Sequence, residues 1–228
     1  MGPRSGPRYP VGMRAVLMFT LALALGLGLA SCKPKKAAGT GGKTTAVSAR
    51  EAGDMKTLDY LSDHPVRKFD KPEVVTDPKK CDYYAELDTT KGKILIDLLK
   101  DSAPVTVNSF VFLALNHFYD GVRWHRVVPG FVAQAGDPTG TGAGDAGYSF
   151  GLEIDEKLAY DAPGWVGMAR TQDPNSNSSQ FFITLAPTPH LTGQYTIFGK
   201  VVEGMDVVQR LTPEDKINRV RILCKEKK

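Results

Sequence analysis

Arg126 and Gln134 are the residues whose types and spacing could do chemistry without a cofactor. They flank Pro129-Gly130 within residues 124–137, WHRVVPGFVAQAGD. Val127, Val128, Phe131 and Val132 are β-formers, and the Pro-Gly pair interrupts them, so the spacing predicts strand, turn, strand. A second stretch, residues 177–186, reads NSSQFFITLA and brings Phe181 and Phe182 to the start of another strand. Together they suggest an apolar cup with a guanidinium at its rim. Spacing alone leaves a second reading open, in which Arg126 is a surface cation and the phenylalanines are ordinary core.

Other chemical signals fail on their context. Gly142, Gly144 and Gly147 spell GxGxxG, but YSFG follows and opens no helix, so the glycines read as a loop with positive φ angles rather than a dinucleotide site. His117, His125 and His190 are far apart with no cysteine beside them, and His64 precedes Pro65 as a loop residue; no metal site is expected. Ser178 and Ser179 lack an oxyanion motif and a third partner to go with His190, which argues against a hydrolase. No cofactor is expected.

The elements that must position the cup are short. Residues 83–88 alternate, with Tyr83, Ala85 and Leu87 on one face, and Lys91-Gly92 turns the chain into residues 94–99, an opening hairpin. Pro104 marks a helix start, and Val107, Phe110, Val111, Ala114 and Leu115 recur at helical spacing until Asp120-Gly121. Strands are expected near residues 123–127, 131–135, 164–168, 181–185, 198–202 and 217–224, with a second short helix over 203–211. Short strands with two helices suit an antiparallel barrel with helical lids rather than a parallel βαβ sheet.

WHRVVPGFVAQAGD, the Gly-rich run 140–147 and SSQFFITLAPTPHLTGQYTIFGKVVEGMDVV occur in that order, and together they resemble the cyclophilin-type peptidyl-prolyl isomerases over roughly residues 83–224. The resemblance implies a mostly β fold: an eight-stranded antiparallel barrel capped by two helices. It implies rotation about X-Pro peptide bonds, with proline-containing polypeptides as partners. Arg126 matches the catalytic arginine, and Gln134 is expected to orient it and to bond the substrate carbonyl. Phe131, Val132, Phe182 and Leu191 match the pocket for the proline ring, with Val132 where many members have methionine. The backbone around Ala169 and Arg170 is expected to receive the peptide as an added strand, although many members carry asparagine at Arg170. Tyr195 matches a position that is histidine or tyrosine. His190 replaces a tryptophan, which bears on cyclosporin affinity more than on turnover. The competing reading is a lipid-anchored module that holds proline peptides, or a chaperone, without significant turnover.

The front of the chain reads differently. Of 228 residues 42% are hydrophobic and 24% charged, an ordinary globular balance. The formal net charge of +4 is partly owed to Arg4, Arg8 and Arg14, ahead of Cys32 with no acid among them, so no nucleic-acid partner is invoked. Residues 13–32, MRAVLMFTLALALGLGLASC, have the charge, apolar core and small-residue order of a secretory signal, with Met1 or Met13 as its start. Leu29-Ala30-Ser31-Cys32 resembles the bacterial lipoprotein box; a plain signal peptide or an uncleaved anchor is the alternative. The expected organisation is a lipoprotein signal peptide over 1–31, a flexible tether over 32–46, an extension over 47–81 and the isomerase domain over 82–228. This places a monomer on a cell or outer membrane, lipid-anchored through Cys32 and facing the extracytoplasmic space. In the extension, residues 50–61 read as a short helix, and Phe69, Val74 and Val75 as an extended arm packed on the domain. If Cys32 is lipidated, Cys81 and Cys224 remain as an even pair in an oxidising setting. In the barrel that the resemblance implies, they stand at adjacent ends of the first and last strands, so a disulfide or two free thiols are both open.

Overall fold

The structure, a computed structural model, describes residues 55–227. The signal peptide, Cys32, the tether and residues 47–54 of the extension lie outside the described residues. Nine strands are described: β1 (Lys56–Thr57), β2 (Cys81–Thr89), β3 (Gly92–Leu98), β4 (Arg126–Val128), β5 (Val132–Ala135), β6 (Trp165–Met168), β7 (Phe181–Thr184), β8 (Ile197–Glu203) and β9 (Ile217–Glu226). They form one sheet in the order β1-β9-β2-β3-β8-β6-β7-β5-β4, antiparallel at each pairing. Its two ends meet. Arg123, just before β4, bridges Lys216, just before β9. Gly121 N also donates to Ile217 O at 2.6 Å, and Trp124 N to Asp215 O at 3.0 Å. Closure of this kind satisfies backbone groups that an open sheet would leave at its edges. The eight strands expected from the sequence are present, and the extension contributes β1.

The interior is aromatic. Phe110 lies 5.0, 5.5 and 5.4 Å from the ring centroids of Tyr119, Phe181 and Phe198. Phe110 comes from helix α1 (Pro104–Leu115), which packs against β9 and is buried from Phe110 through Leu115. Pro104 pre-sets the first helical φ, but Ala103 offers no capping side chain. Glu153, distant in sequence, supplies the cap: its carboxylate accepts from Val105 N at 2.9 Å, Thr106 N at 2.8 Å and Thr106 Oγ1 at 2.7 Å. The helix ends at Leu115, earlier than Asp120-Gly121. Asn116 takes the C-cap and returns its Nδ2 to Phe112 O at 2.8 Å, and His117 turns left-handed at φ 55°. The second helix, α2 (Met205–Gln209), is shorter than expected and starts at Gly204, whose φ of 83° and close approach to Lys93 O exclude a side chain.

The extension is where the sequence misleads. The described part of the expected 50–61 helix is extended. Lys56 and Thr57 pair with Cys224 and Leu223 of β9, and Leu58 N donates to Ile222 O at 2.9 Å. A tertiary ladder outweighs a weak local helix preference. Residues 58–80 then run along the domain as a strap. Leu61 N donates to Leu115 O at 2.8 Å, Val66 N to Asn116 O at 3.1 Å, and Val75 N to Asn108 Oδ1 at 2.9 Å. Phe69 and Val75 pack on the core, but Val74 is 88% exposed. Neighbouring residues of an extended chain point to opposite sides, so Val74 and Val75 do not share the core.

Cys81 and Cys224 are joined by a disulfide, with Cα atoms 5.4 Å apart and a sequence separation of 143. Tyr83 lies opposite Cys224 across the β2–β9 ladder, so the two cysteines are diagonal neighbours at the open end of the pair. Both are buried. The bond closes a loop around nearly the whole domain, so Cys81→Ser or Cys224→Ser is expected to lower unfolding free energy by about 2–4 kcal/mol. Denaturant titration with and without reductant measures this; wild-type midpoints that do not respond to reductant, in protein shown to be reduced, would contradict it.

Candidate active site

The site is built from one row of the sheet. The β4–β5 hairpin turns at Pro129-Gly130, where Gly130 takes φ 70° and Phe131 N donates to Val128 O at 3.0 Å. Its register sets Arg126 opposite Gln134; Gln134 then faces Phe182 on β7, and Phe182 faces Gly167 on β6. Residues paired across strands share a face, so guanidinium, amide, phenyl ring and an empty glycine position lie side by side. Arg126 Nη1 donates to Gln134 Oε1 at 3.3 Å, and Gln134 Nε2 donates to Gln180 Oε1 at 2.9 Å. Gly167 makes room: a Cβ there would run into Tyr160 Oη and the Phe182 ring.

Arg126, Phe131, Val132, Gln134, Ala169, Arg170, Phe182, Leu191 and Tyr195 line a single cavity of about 290 Å³. Val132, Phe182 and Leu191 belong to a small apolar cluster with Tyr160 and Ile197, separate from the main core. Leu191 enters from a short 3₁₀ turn, Pro189–Leu191. Tyr195 stands edge-on to Phe182 at 5.8 Å, and the Arg126 guanidinium lies 5.6 Å from the Phe131 ring centroid. Of the residues expected here, His190 is not in the cavity wall. Its ring stacks on Phe131 at 5.6 Å and is exposed, so it touches the cup through Phe131. The Arg170 guanidinium turns onto loop carbonyls, with Nη2 donating to Gln194 O at 2.8 Å and Nη1 to Thr171 O at 2.8 Å, and it covers the Tyr195 ring at 4.8 Å.

A second cavity of about 650 Å³ adjoins the cup and shares Gln134, Ala169 and Arg170 with it. Its wall is the glycine loop, whose anchor, Gln180, sequence reasoning missed. Gln180 Nε2 donates to Gly142 O at 3.0 Å and Gly144 O at 2.9 Å. The signal was present: Gln180 stands two residues before Phe182 and so on the same strand face. Gly142 and Gly147 take φ 87° and 93°, while Gly144 is needed because the Asp137 carboxylate occupies the place of a Cβ.

Asp137 is 1% exposed. Burial works to raise its carboxyl, but hydrogen bonds from Thr139 and from the Gly144 and Gly142 amides outweigh it and hold it at about 2. Burial pushes the His125 imidazole down, and Arg126 adds to that against the opposing pull of Asp137. Burial therefore favours the neutral imidazole beside Arg126.

Comparison with known proteins agrees with this geometry. The family model for the cyclophilin type peptidyl-prolyl cis-trans isomerases (Cyclophilin type peptidyl-prolyl cis-trans isomerase/CLD) matches residues 84–225. The chain belongs to this family. Its activity is the cis-trans isomerisation of peptide bonds that precede proline. The cyclophilin is 53% identical over 129 residues to peptidyl-prolyl cis-trans isomerase ppi1 of Schizosaccharomyces pombe, covering 55% of this chain and 83% of that one. It is 50% identical over 128 residues to peptidyl-prolyl cis-trans isomerase-like 1 of Rhizopus delemar, covering 55% and 77%. A cyclophilin type isomerase of Cryptosporidium parvum superposes with TM-score 0.59 at 32% identity, over 62% of this chain and 97% of that one. The same parasite protein solved in the presence of the dipeptide Ala-Pro gives TM-score 0.54 at 33% identity, over 63% and 96%.

The depressed Asp137 carboxyl ties stability to pH. Because its folded value is about 2 and its ordinary value is 3.8, its contribution is complete above the ordinary range and is lost as pH falls from about 4 through 2. Asp137→Asn is expected to remove roughly 2 kcal/mol of that acid sensitivity. Urea midpoints of both proteins between pH 2 and 6 test it; parallel curves would refute the assignment.

Proposed function

We propose that Arg126 is the catalytic residue and that the 290 Å³ cup holds the proline ring. The observation that carries this reading is the Arg126–Gln134–Phe182 row, which sets a fixed donor beside an apolar slot of proline size. In the planar X-Pro bond the prolyl nitrogen shares its lone pair with the carbonyl; in the twisted transition state the pair is localised and accepts a hydrogen bond. An Arg126 N–H donates to it only then, which is differential binding of the transition state. Gln134 Oε1 holds the guanidinium, and Gln134 Nε2, already bonded to Gln180, retains a second N–H for the substrate carbonyl. Phe131, Val132, Phe182 and Leu191 select the ring by shape, and Tyr195 walls its far side. The Ala169 N–H is committed to Gln180 O at 2.9 Å, so a peptide adding beside Ala169 and Arg170 pairs through the Ala169 carbonyl. His190, acting through Phe131, offers cyclosporin a smaller and more polar edge than an indole.

The enzyme acts on exported proteins as a lipid-anchored monomer. Support comes from the signal-like residues 13–31 ahead of Cys32 and from the Cys81–Cys224 disulfide, which suits an oxidising compartment. Proline-containing segments of unfolded or flexible chains are the substrates.

In a protease-coupled assay on a proline peptide, folded Arg126→Ala is expected to lose about 10²- to 10³-fold in kcat/KM, the scale of one preorganised donor. Turnover within a factor of two of wild type would remove Arg126 from the mechanism. For the anchor, intact-mass analysis of membrane-extracted protein is expected to show a chain that begins at Cys32 and carries lipid, and Cys32→Ser is expected to move into the soluble fraction. Cys32→Ser protein that still partitions wholly with membranes would defeat the anchor, because more than one acyl chain is what makes such attachment stable.

A further inference from the structure

The strap of residues 58–80 lies ahead of the residues that the family model matches, yet it touches the wall of the site. Phe69 N donates to Ala146 O at 2.8 Å. Beside it, a Cβ on Gly147 would lie 2.6 Å from Phe69 O and 2.8 Å from Lys68 Cγ, so strap and glycine loop are flush. The Phe69 ring is seated edge-on against Phe112 of α1 at 4.8 Å. Further along, Asn108 of α1 accepts from Val75 N and Thr76 N and donates to Glu73 O at 2.8 Å. At its other end Arg67 donates to Phe118 O and, at 2.6 Å, to Asp120 O. Lys68 and Phe69 are thereby held between α1 on one side and the turn that follows it on the other.

The loop they meet has no ladder of its own, and its glycines give it wide conformational freedom. On the site side Gln180, Asp137 and Ser178 hold it, with Ala146 N donating to Ser178 Oγ at 3.1 Å. On the outer side the strap holds it. Hydrogen bonds run from the loop through Gln180 to Gln134 and Arg126, so the loop's position is shared with the cup.

We propose that Lys68 and Phe69 are positioning residues for the isomerase site: by clamping the glycine loop against α1 they set the width of the second cavity, and with it the enzyme's discrimination among peptides by the residues that flank proline. This rests on the reading of the cup as the proline site, because the second cavity adjoins the cup and takes what lies next to the ring.

The test is the ratio of kcat/KM for proline peptides with large flanking side chains to kcat/KM for the alanine-flanked peptide, measured on the full chain. Phe69→Ala is expected to change that ratio by about tenfold, carried by KM with kcat held, and Phe69→Leu, which keeps an apolar contact on Phe112, is expected to restore it. Amide hydrogen exchange over residues 140–147 should quicken in Phe69→Ala and not in Phe69→Leu. Should Phe69→Ala fail to fold, Lys68→Ala, which strips the aliphatic stem from Gly147 and leaves the ring in place, carries the test with an expected change of about threefold. An unchanged ratio, or a uniform fall across all peptides, overturns the proposal. A ratio is independent of absolute rate, so the strap can fail while Arg126→Ala still shows its large loss of kcat/KM, and the reverse result would sink the reading of the cup alone.

Discussion

The site depends on the register of one antiparallel ladder. Arg126, Gln134, Phe182 and Gly167 share a face because β4, β5, β7 and β6 pair without a slip between them. A displacement of one residue in any of these pairings would turn its side chains to the opposite face, putting the guanidinium into the barrel and a valine onto the face of the cup. The main core enforces the register from the other side. Ala133, Ala135, Phe181 and Ile183 are buried there, and they alternate with Gln134 and Phe182. Burial of the inward residues therefore fixes the aim of the outward ones.

In the mechanism proposed, catalysis by hydrogen bonding alone requires donors that do not reorganise as the peptide bond twists. Gln134 meets this requirement because both ends of its amide are occupied, Oε1 by Arg126 and Nε2 by Gln180. Gln180 is in turn held by two loop carbonyls. The same economy explains the glycines. At Gly167 a methyl group would collide with Tyr160 and Phe182, and at Gly144 with the Asp137 carboxylate that ties the loop together. Each glycine is required by what packs against it.

Long-range supports recur through the fold. Glu153 caps α1 in place of a local residue, the strap lies on α1 and the glycine loop, and the disulfide pins β2 to β9. Loop-closure entropy for such contacts is recovered only once the barrel has formed, so they act on the assembled domain rather than on its early elements.

The sequence by itself determined what a few neighbouring residues can encode. Lys91-Gly92 announced the first hairpin, Pro104 the start of α1, and the alternation around Pro129-Gly130 the strands that carry Arg126 and Gln134. The family resemblance named nine residues that line one cavity. Tertiary structure decided what depends on partners remote in sequence. Residues 56 and 57 look locally helical but become a strand because Cys224 and Leu223 lie alongside, more than 160 positions away. The resemblance set His190 in a tryptophan's place, yet its ring settles outside the cavity against Phe131. Gln180 carried a polar side chain of no obvious use until the loop carbonyls came within reach. Local propensity is worth a few tenths of a kcal/mol per residue, and a paired backbone or a buried ring outweighs it, so the partner and not the segment decides.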